Sequence, residues 1–387
     1  MNELLMDFIP NLRCPQSGRR LQILEQSEID KLNLQIAQNQ LMKADGKPME
    51  HPIRSALINE AREWIYPVLA HDIIILQKDA AISAKKAGNA ESGSNIHQLA
   101  AEKKLVMDFY DRYGWQKSEG EAFNDTVDFE DRRTVAAAYW SRCHLRLNRY
   151  LEGGTYLLDV ASGAIPNDEY MTFDDRYQIR VCADISLLAL QEASARLNGQ
   201  GIFIQADMTD LPLASGSMDA VISMHTVYHI PRQEQTRAVG EAYRVLKPSA
   251  KAVIIYSWNK STLMNTVFRF WRKLLSLKKG KRKVSTKEKD KNSPSLFVNQ
   301  QNYDWFHHEI RERYHARLEV YSAISRSFSH TFIRGKRFGT WLSNAIFFLE
   351  ERFPSWLGKY GQYPIFLLQR QPDEITEPEK VLQKTSN

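Results

Sequence analysis

Three short apolar runs end in an aspartate at helix-length intervals. They are Tyr156-Leu157-Leu158-Asp159-Val160, then Ile179-Arg180-Val181-Cys182-Ala183 followed by Asp184, then Gly201-Ile202-Phe203-Ile204-Gln205-Ala206 followed by Asp207. A short, β-rich apolar run bounded by turn residues reads as a buried strand. The segment between the second and third holds Leu187, Leu188, Ala189 and Leu190 and stops at Asn198-Gly199, as one helix would. Two further strands, Ala220–Met224 and Ala252–Tyr256, flank a helix over Glu234–Val245 that stops at Lys247-Pro248. Strands one helix apart are joined by right-handed crossovers and lie parallel. The three acids then fall on the carboxyl edge of one sheet, where open α/β folds bind ligands. After the first acid come Ala161-Ser162-Gly163-Ala164-Ile165, mostly small residues that let the backbone approach a ligand.

The remaining chain divides around this core. Its 387 residues allow two or three domains, and 43% hydrophobic with 25% charged residues is an ordinary globular composition. No apolar run approaches the roughly 20 residues of a membrane span. The acidic start, Met1 to Asp7, does not read as a secretory signal. Three scattered cysteines (Cys14, Cys143, Cys182) form no disulfide framework, and a cytoplasmic location is expected. Residues 1–80 read as a small N-terminal α+β module and 81–103 as a Gly/Ser/Lys-rich linker. The main domain spans 104–370, with a basic helical insertion at about 259–310, and a polar tail over 371–387 is expected to be disordered. Phe338, Trp341, Leu342, Ala345, Ile346 and Leu349 share helical spacing and read as one buried face.

The ordered motifs Leu157–Ile165, Cys182–Ser186, Gln205–Pro212, Met218–Ser223 and Tyr243–Pro248 resemble those of class I S-adenosylmethionine-dependent methyltransferases, nearest to the ubiquinone and menaquinone biosynthesis type (methyltransferase type 11). The resemblance covers about Val106 to Leu368. It implies an α/β, Rossmann-like, doubly wound, seven-stranded, mostly parallel sheet with S-adenosyl-L-methionine as cofactor. It places Asp159 near the methionine ammonium, Asp184 on the ribose hydroxyls, and Asp207 with the Met208 backbone on adenine. Ala161, Ser162, Gly163, Ile185 and Ser223 complete the expected cofactor site. The family's Gly-x-Gly-x-Gly is reduced here to Gly163, so a positive-φ requirement is expected to fall mainly there. The N-terminal unit, with Asn11–Leu21 and Glu63–Leu76, is similar to the zinc-ribbon-like family of methyltransferase activators. Its Cys14 is partnered by Ser17 and no second Cys pair exists, so no metal is expected.

The turn also disfavours a nicotinamide dinucleotide. Pro166 removes a backbone donor and Asp168 and Glu169 would repel pyrophosphate, whereas S-adenosylmethionine carries no phosphate. Methyl transfer relies largely on positioning, and a carbon or hydroxyl acceptor adds the need for a base. His225, Tyr228 and His229, just beyond the fourth strand, are the catalytic candidates, against a reading as ordinary loop residues. Tyr110 and Tyr113 are candidates to close over the cofactor, against a reading as helix packing.

Between Phe268 and Lys291 eleven Lys or Arg face two acids, an excess of +9 that leaves the rest of the chain at −3 against a net +6. This 259–291 arm reads as a lid helix with a solvated tip, as a peripheral contact with anionic membrane, or, less favoured, as a nucleic-acid contact. The expected activity is methyl transfer to a small-molecule or lipid-like acceptor. The alternatives are RNA or protein methylation, and a non-catalytic cofactor-binding module.

Overall fold

The structure is a computed structural model that describes residues 1–84, 101–117, 122–278 and 296–372. The expected linker, basic loop and tail fall largely outside these ranges. Twelve strands form one mixed sheet: β1 (Leu21–Ile23), β2 (Ser55–Asn59), β3 (Trp64–Val68), β4 (Ile73–Ile75), β5 (Ile82–Ser83), β6 (Gly154–Val160), β7 (Tyr177–Asp184), β8 (Ile202–Gln205), β9 (Met218–Met224), β10 (Leu246–Ile255), β11 (Arg317–Ser322) and β12 (Tyr363–Gln369). Their order is β1-β2-β3-β4-β8-β7-β6-β9-β10-β12-β11, with β5 paired to β3. The neighbours from β4 through β10 are parallel, and the remaining pairs are antiparallel.

Seven strands was too few. The stretch β8-β7-β6-β9-β10-β12-β11 is the expected core, and five N-terminal strands, β1 to β5, lengthen the sheet beyond it because β4 pairs in parallel with β8 (Ile74 opposite Ile204). A buried cluster runs through both parts, from Leu5, Phe8, Leu12 and Tyr66 to Leu158, Val181 and Ile204. Cys14 is buried in it, 3.2 Å from the Tyr66 hydroxyl. The N-terminal stretch thus shares the core of the domain it was expected to precede as a module.

The helices are α1 (Glu3–Phe8), α2 (Gln26–Ala37), α3 (Ala101–Phe109), α4 (Asn124–Phe129), α5 (Thr134–Leu145), α6 (Leu187–Arg196), α7 (Gln235–Arg244), α8 (Thr262–Lys278), the single turn α9 (Tyr303–Trp305), α10 (Arg326–Phe332), α11 (Lys336–Arg352) and α12 (Pro354–Tyr360). Among the described residues no helix is long and apolar enough to cross a membrane.

The helix α11 is turned from its expected packing: of the expected face, Leu342 and Ile346 pack on the core and the rest does not. Phe338, Trp341 and Leu349 are exposed, while Gly339, Ser343 and Glu350 are buried. The inward anchor is polar: Glu350 accepts from the Tyr139 hydroxyl at 2.6 Å, Arg146 at 2.9 Å and the Ala323 amide at 2.7 Å. At Gly339 the helix approaches α5 so closely that a Cβ would stand 2.6 Å from Val135.

Candidate active site

The sheet reverses its winding at β6, with β7 on one side and β9 on the other, and the crevice beyond such a switch point is where doubly wound folds bind. A cavity of about 1120 Å³ opens there. Single ligand pockets run roughly 300–1,000 Å³, so this one has room for a cofactor and a second molecule.

The turn after β6 forms one wall. Ala161, Gly163 and Ile165 all have positive φ, at 53°, 58° and 53°. This corrects the expectation that the left-handed backbone falls mainly on Gly163. All three positions of the lost glycine pattern keep the conformation, and alanine and isoleucine accept the strain. At Gly163 a Cβ would lie 2.4 Å from the Trp115 ring, and Tyr110 stacks on that indole at 5.3 Å.

Asp184 ties this turn to β7, accepting from the Gly163 amide at 2.9 Å and the Ser186 amide at 2.8 Å. Burial raises its carboxyl to about 6 against the pull of those two donors. It lines the cavity with Ala161, Ser162, Ile185 and Met208. A buried carboxylate that keeps lone pairs toward the cavity fits a ribose diol. Asp207 also lines the cavity, but its carboxylate is already held by Lys103 at 2.6 Å and by Thr209. Lys103, on α3, reaches Glu234 as well.

Two expected cofactor contacts lie elsewhere. Asp159 does not line the cavity; Arg180 holds it at 2.5 Å with both groups buried. Strand alternation explains this: Asp159 shares a face with Leu157, and Leu158 and Val160 take the other. Ser223 is wholly buried and bonds Thr226 at 2.5 Å, and it is Thr226 that lines the cavity.

His225, Tyr228 and His229 do line the cavity, as do Tyr110 and Tyr113. His229 Nδ1 bonds the Phe297 carbonyl at 2.7 Å, so Nδ1 carries the proton and Nε2 is the acceptor. Burial lowers His225 to about 3 and His229 to about 4, so both are neutral and weakly basic.

The far half of the cavity was not expected from the sequence. Trp140, His144, Tyr170, Tyr321 and Tyr363 line it together with Asp125 and Glu130. Burial, then the like charges of Glu130 and Asp128, raise Asp125 to about 7. The Arg326 guanidinium donates to the Val127, Asp128 and Glu130 carbonyls and fixes the segment that carries these acids. Residues from α4, α5, β11 and β12 meet here, and only the tertiary fold brings them together.

Residues 158–254 match the family model described as "Methyltransferase domain". A 47-residue stretch is 49% identical to "Sterol methyltransferase-like 1" of Botryococcus braunii, 12% of this chain and 12% of the length of that relative. The geranyl diphosphate C-methyltransferase of Streptomyces coelicolor A3(2) is 10% identical over 70% of this chain and 99% of its own, with a TM-score of 0.41. The [4+2]-cyclase SpnF is 15% identical over 69% and 93%, with a TM-score of 0.39. At these scores the two structures carry no argument about chemistry. The matched segment runs from the end of β6 through most of β10 and contains the glycine turn, Asp184 and Asp207. The centre of the chain thus matches a methyltransferase domain over the strands and the turn that line the cavity.

Proposed function

We propose that the protein transfers the methyl group of S-adenosylmethionine to a small-molecule or lipid-like acceptor held in the aromatic half of the cavity. The observation that carries this reading is continuity: one cavity joins Asp184 and Asp207 to a chamber of Tyr170, Tyr321, Tyr363 and Trp140. Asp184 would hold the ribose, Asp207 and the Met208 backbone the adenine edge, and the Ala161–Gly163 turn the methionine end. When bound, the cofactor supplies an electrophilic methyl group, and the protein's part is to align the acceptor in line with it. Where the acceptor must lose a proton, Asp125 is better matched than His225 or His229. A carboxylate near 7 is poised at working pH, whereas imidazoles near 3 and 4 are weak acceptors.

Residues 1–80 act, on this reading, as an activator-like extension fused in cis, supported by the β4–β8 pairing and the shared core. The basic 259–291 arm supplies a further peripheral contact with an anionic membrane. Calorimetry with S-adenosylmethionine tests the site. Asp184→Ala should abolish detectable binding while the melting temperature holds, and retained affinity would sink the assignment.

A further inference from the structure

The outward face of α11 and α12 has a composition that demands a partner. Phe338, Trp341, Phe348 and Trp356 are 59%, 63%, 67% and 55% exposed, with Leu349 and Phe353 beside them. On α11, Phe338, Trp341, Ala345, Phe348 and Leu349 share one face by helical spacing, opposite the buried Gly339, Ser343 and Glu350. Scattered exposed apolar residues are ordinary, but a run of large aromatics on one helix face marks an interaction site.

The charges around that face select the partner. Arg334, Lys336, Arg337 and Arg352 are exposed at its borders. The two acids of the helix do not offset them: Glu350 is buried against Arg146, and Glu351 is paired with Arg149 at 2.9 Å. The neighbouring α8 packs on α10, with Trp271 5.0 Å from Phe332, and its Leu263 packs with Leu357 of α12. It adds the exposed Phe270, and its sequence from Thr262 to Lys278 contains no acid. Tryptophan and phenylalanine bordered by Lys and Arg match the interface of a bilayer with anionic lipid. Two copies of this face would bring like charges together, which disfavours self-association through it.

We propose that the α8–α11–α12 face docks the protein on an anionic membrane surface, with the α11 and α12 aromatics entering the headgroup boundary. The face has a structural link to the cavity. Its inner side grips Tyr139 of α5 and Arg146 just after it, and α5 carries Trp140 and His144 into the aromatic chamber. A lipid-like acceptor would then be taken up at the surface where it resides. This last point rests on the proposed acceptor class, whereas docking itself does not.

Co-sedimentation of the full chain with vesicles of phosphatidylcholine, with and without phosphatidylglycerol, tests it. The protein should pellet with the mixed vesicles and be released by high salt. Trp341→Ser/Phe348→Ser should weaken binding about tenfold or more. Lys336→Glu/Arg337→Glu should remove the preference for phosphatidylglycerol. Unchanged melting and S-adenosylmethionine binding would show that these variants fold. Three outcomes would overturn the proposal: a wild-type chain that stays in the supernatant, a double aromatic variant that binds equally well, or a wild-type dimer that the same variant converts to monomer without vesicle binding. The Asp184→Ala chain should still bind vesicles, so failure of the cofactor site and failure of docking are separate results.

Discussion

At the scale of single residues, the turn after β6 keeps a glycine-type backbone with one glycine. Left-handed φ costs a non-glycine residue roughly 1–2 kcal/mol. Ala161 is small and only partly buried, so Ala161→Gly should be neutral or stabilising by up to about 1 kcal/mol. Ile165 is 1% exposed, and losing a buried isoleucine side chain costs about 2–5 kcal/mol, which outweighs the relieved strain. Ile165→Gly should therefore destabilise. Gly163→Ala meets both the φ penalty and the Trp115 ring, and should lower stability by more than about 2 kcal/mol and weaken cofactor binding. Thermal melts of the three variants would check the ranking. A second prediction concerns pH. A carboxyl accepts from both hydroxyls of a ribose diol only when ionised, so cofactor affinity should fall by up to about tenfold per pH unit below about 6, and calorimetry across pH would show it. Folding has the opposite sign. Asp184 and Asp125 bind a proton more tightly folded than unfolded, so their stabilising contribution is present at acid pH and lost as pH rises through about 6 and about 7. The acids at the strand ends and the histidines after β9 were legible from spacing alone. The direction in which Asp159 points was not, because the run of apolar residues around it carries no polar alternation to fix which face is which.

At the scale of elements, α11 shows what periodicity can and cannot say. The apolar stripe from Phe338 to Leu349 is real, and the helix exists where the spacing puts it. The inward side combines a carboxylate with apolar flanks. Glu350 is bonded three ways among buried groups, and Leu342, Ile346 and Phe347 pack on the core beside it. Glu350→Ala would leave the buried Arg146 guanidinium with Glu351 as its remaining counter-charge and strand the donors that Glu350 accepts from, at a cost of up to about 3 kcal/mol. Glu350→Gln should cost less, since the hydrogen-bonding shape survives. Chemical denaturation of both variants would test the order. The partners Tyr139, Arg146 and Ala323 lie far from Glu350 in sequence, so no local pattern could have marked it as an anchor.

At the scale of the whole molecule, the parallel core was readable because three of its strands end in an acid and helices separate several of them. The N-terminal extension was read as a separate module, since Ala80 to Glu102 has the composition of a linker. Pairing between β4 and β8 depends on an edge that exists only once the core has folded. Because one buried cluster spans both parts, unfolding followed by far-ultraviolet dichroism and by tryptophan emission should show one shared transition. Two separated transitions would make residues 1–80 an independent unit. The contact of Trp115 with Gly163 has its own consequence. The indole lies against the backbone that would carry the methionine end of the cofactor, so occupancy of the turn changes the surroundings of a fluorophore. The domain carries a built-in optical label for the state of its own active site.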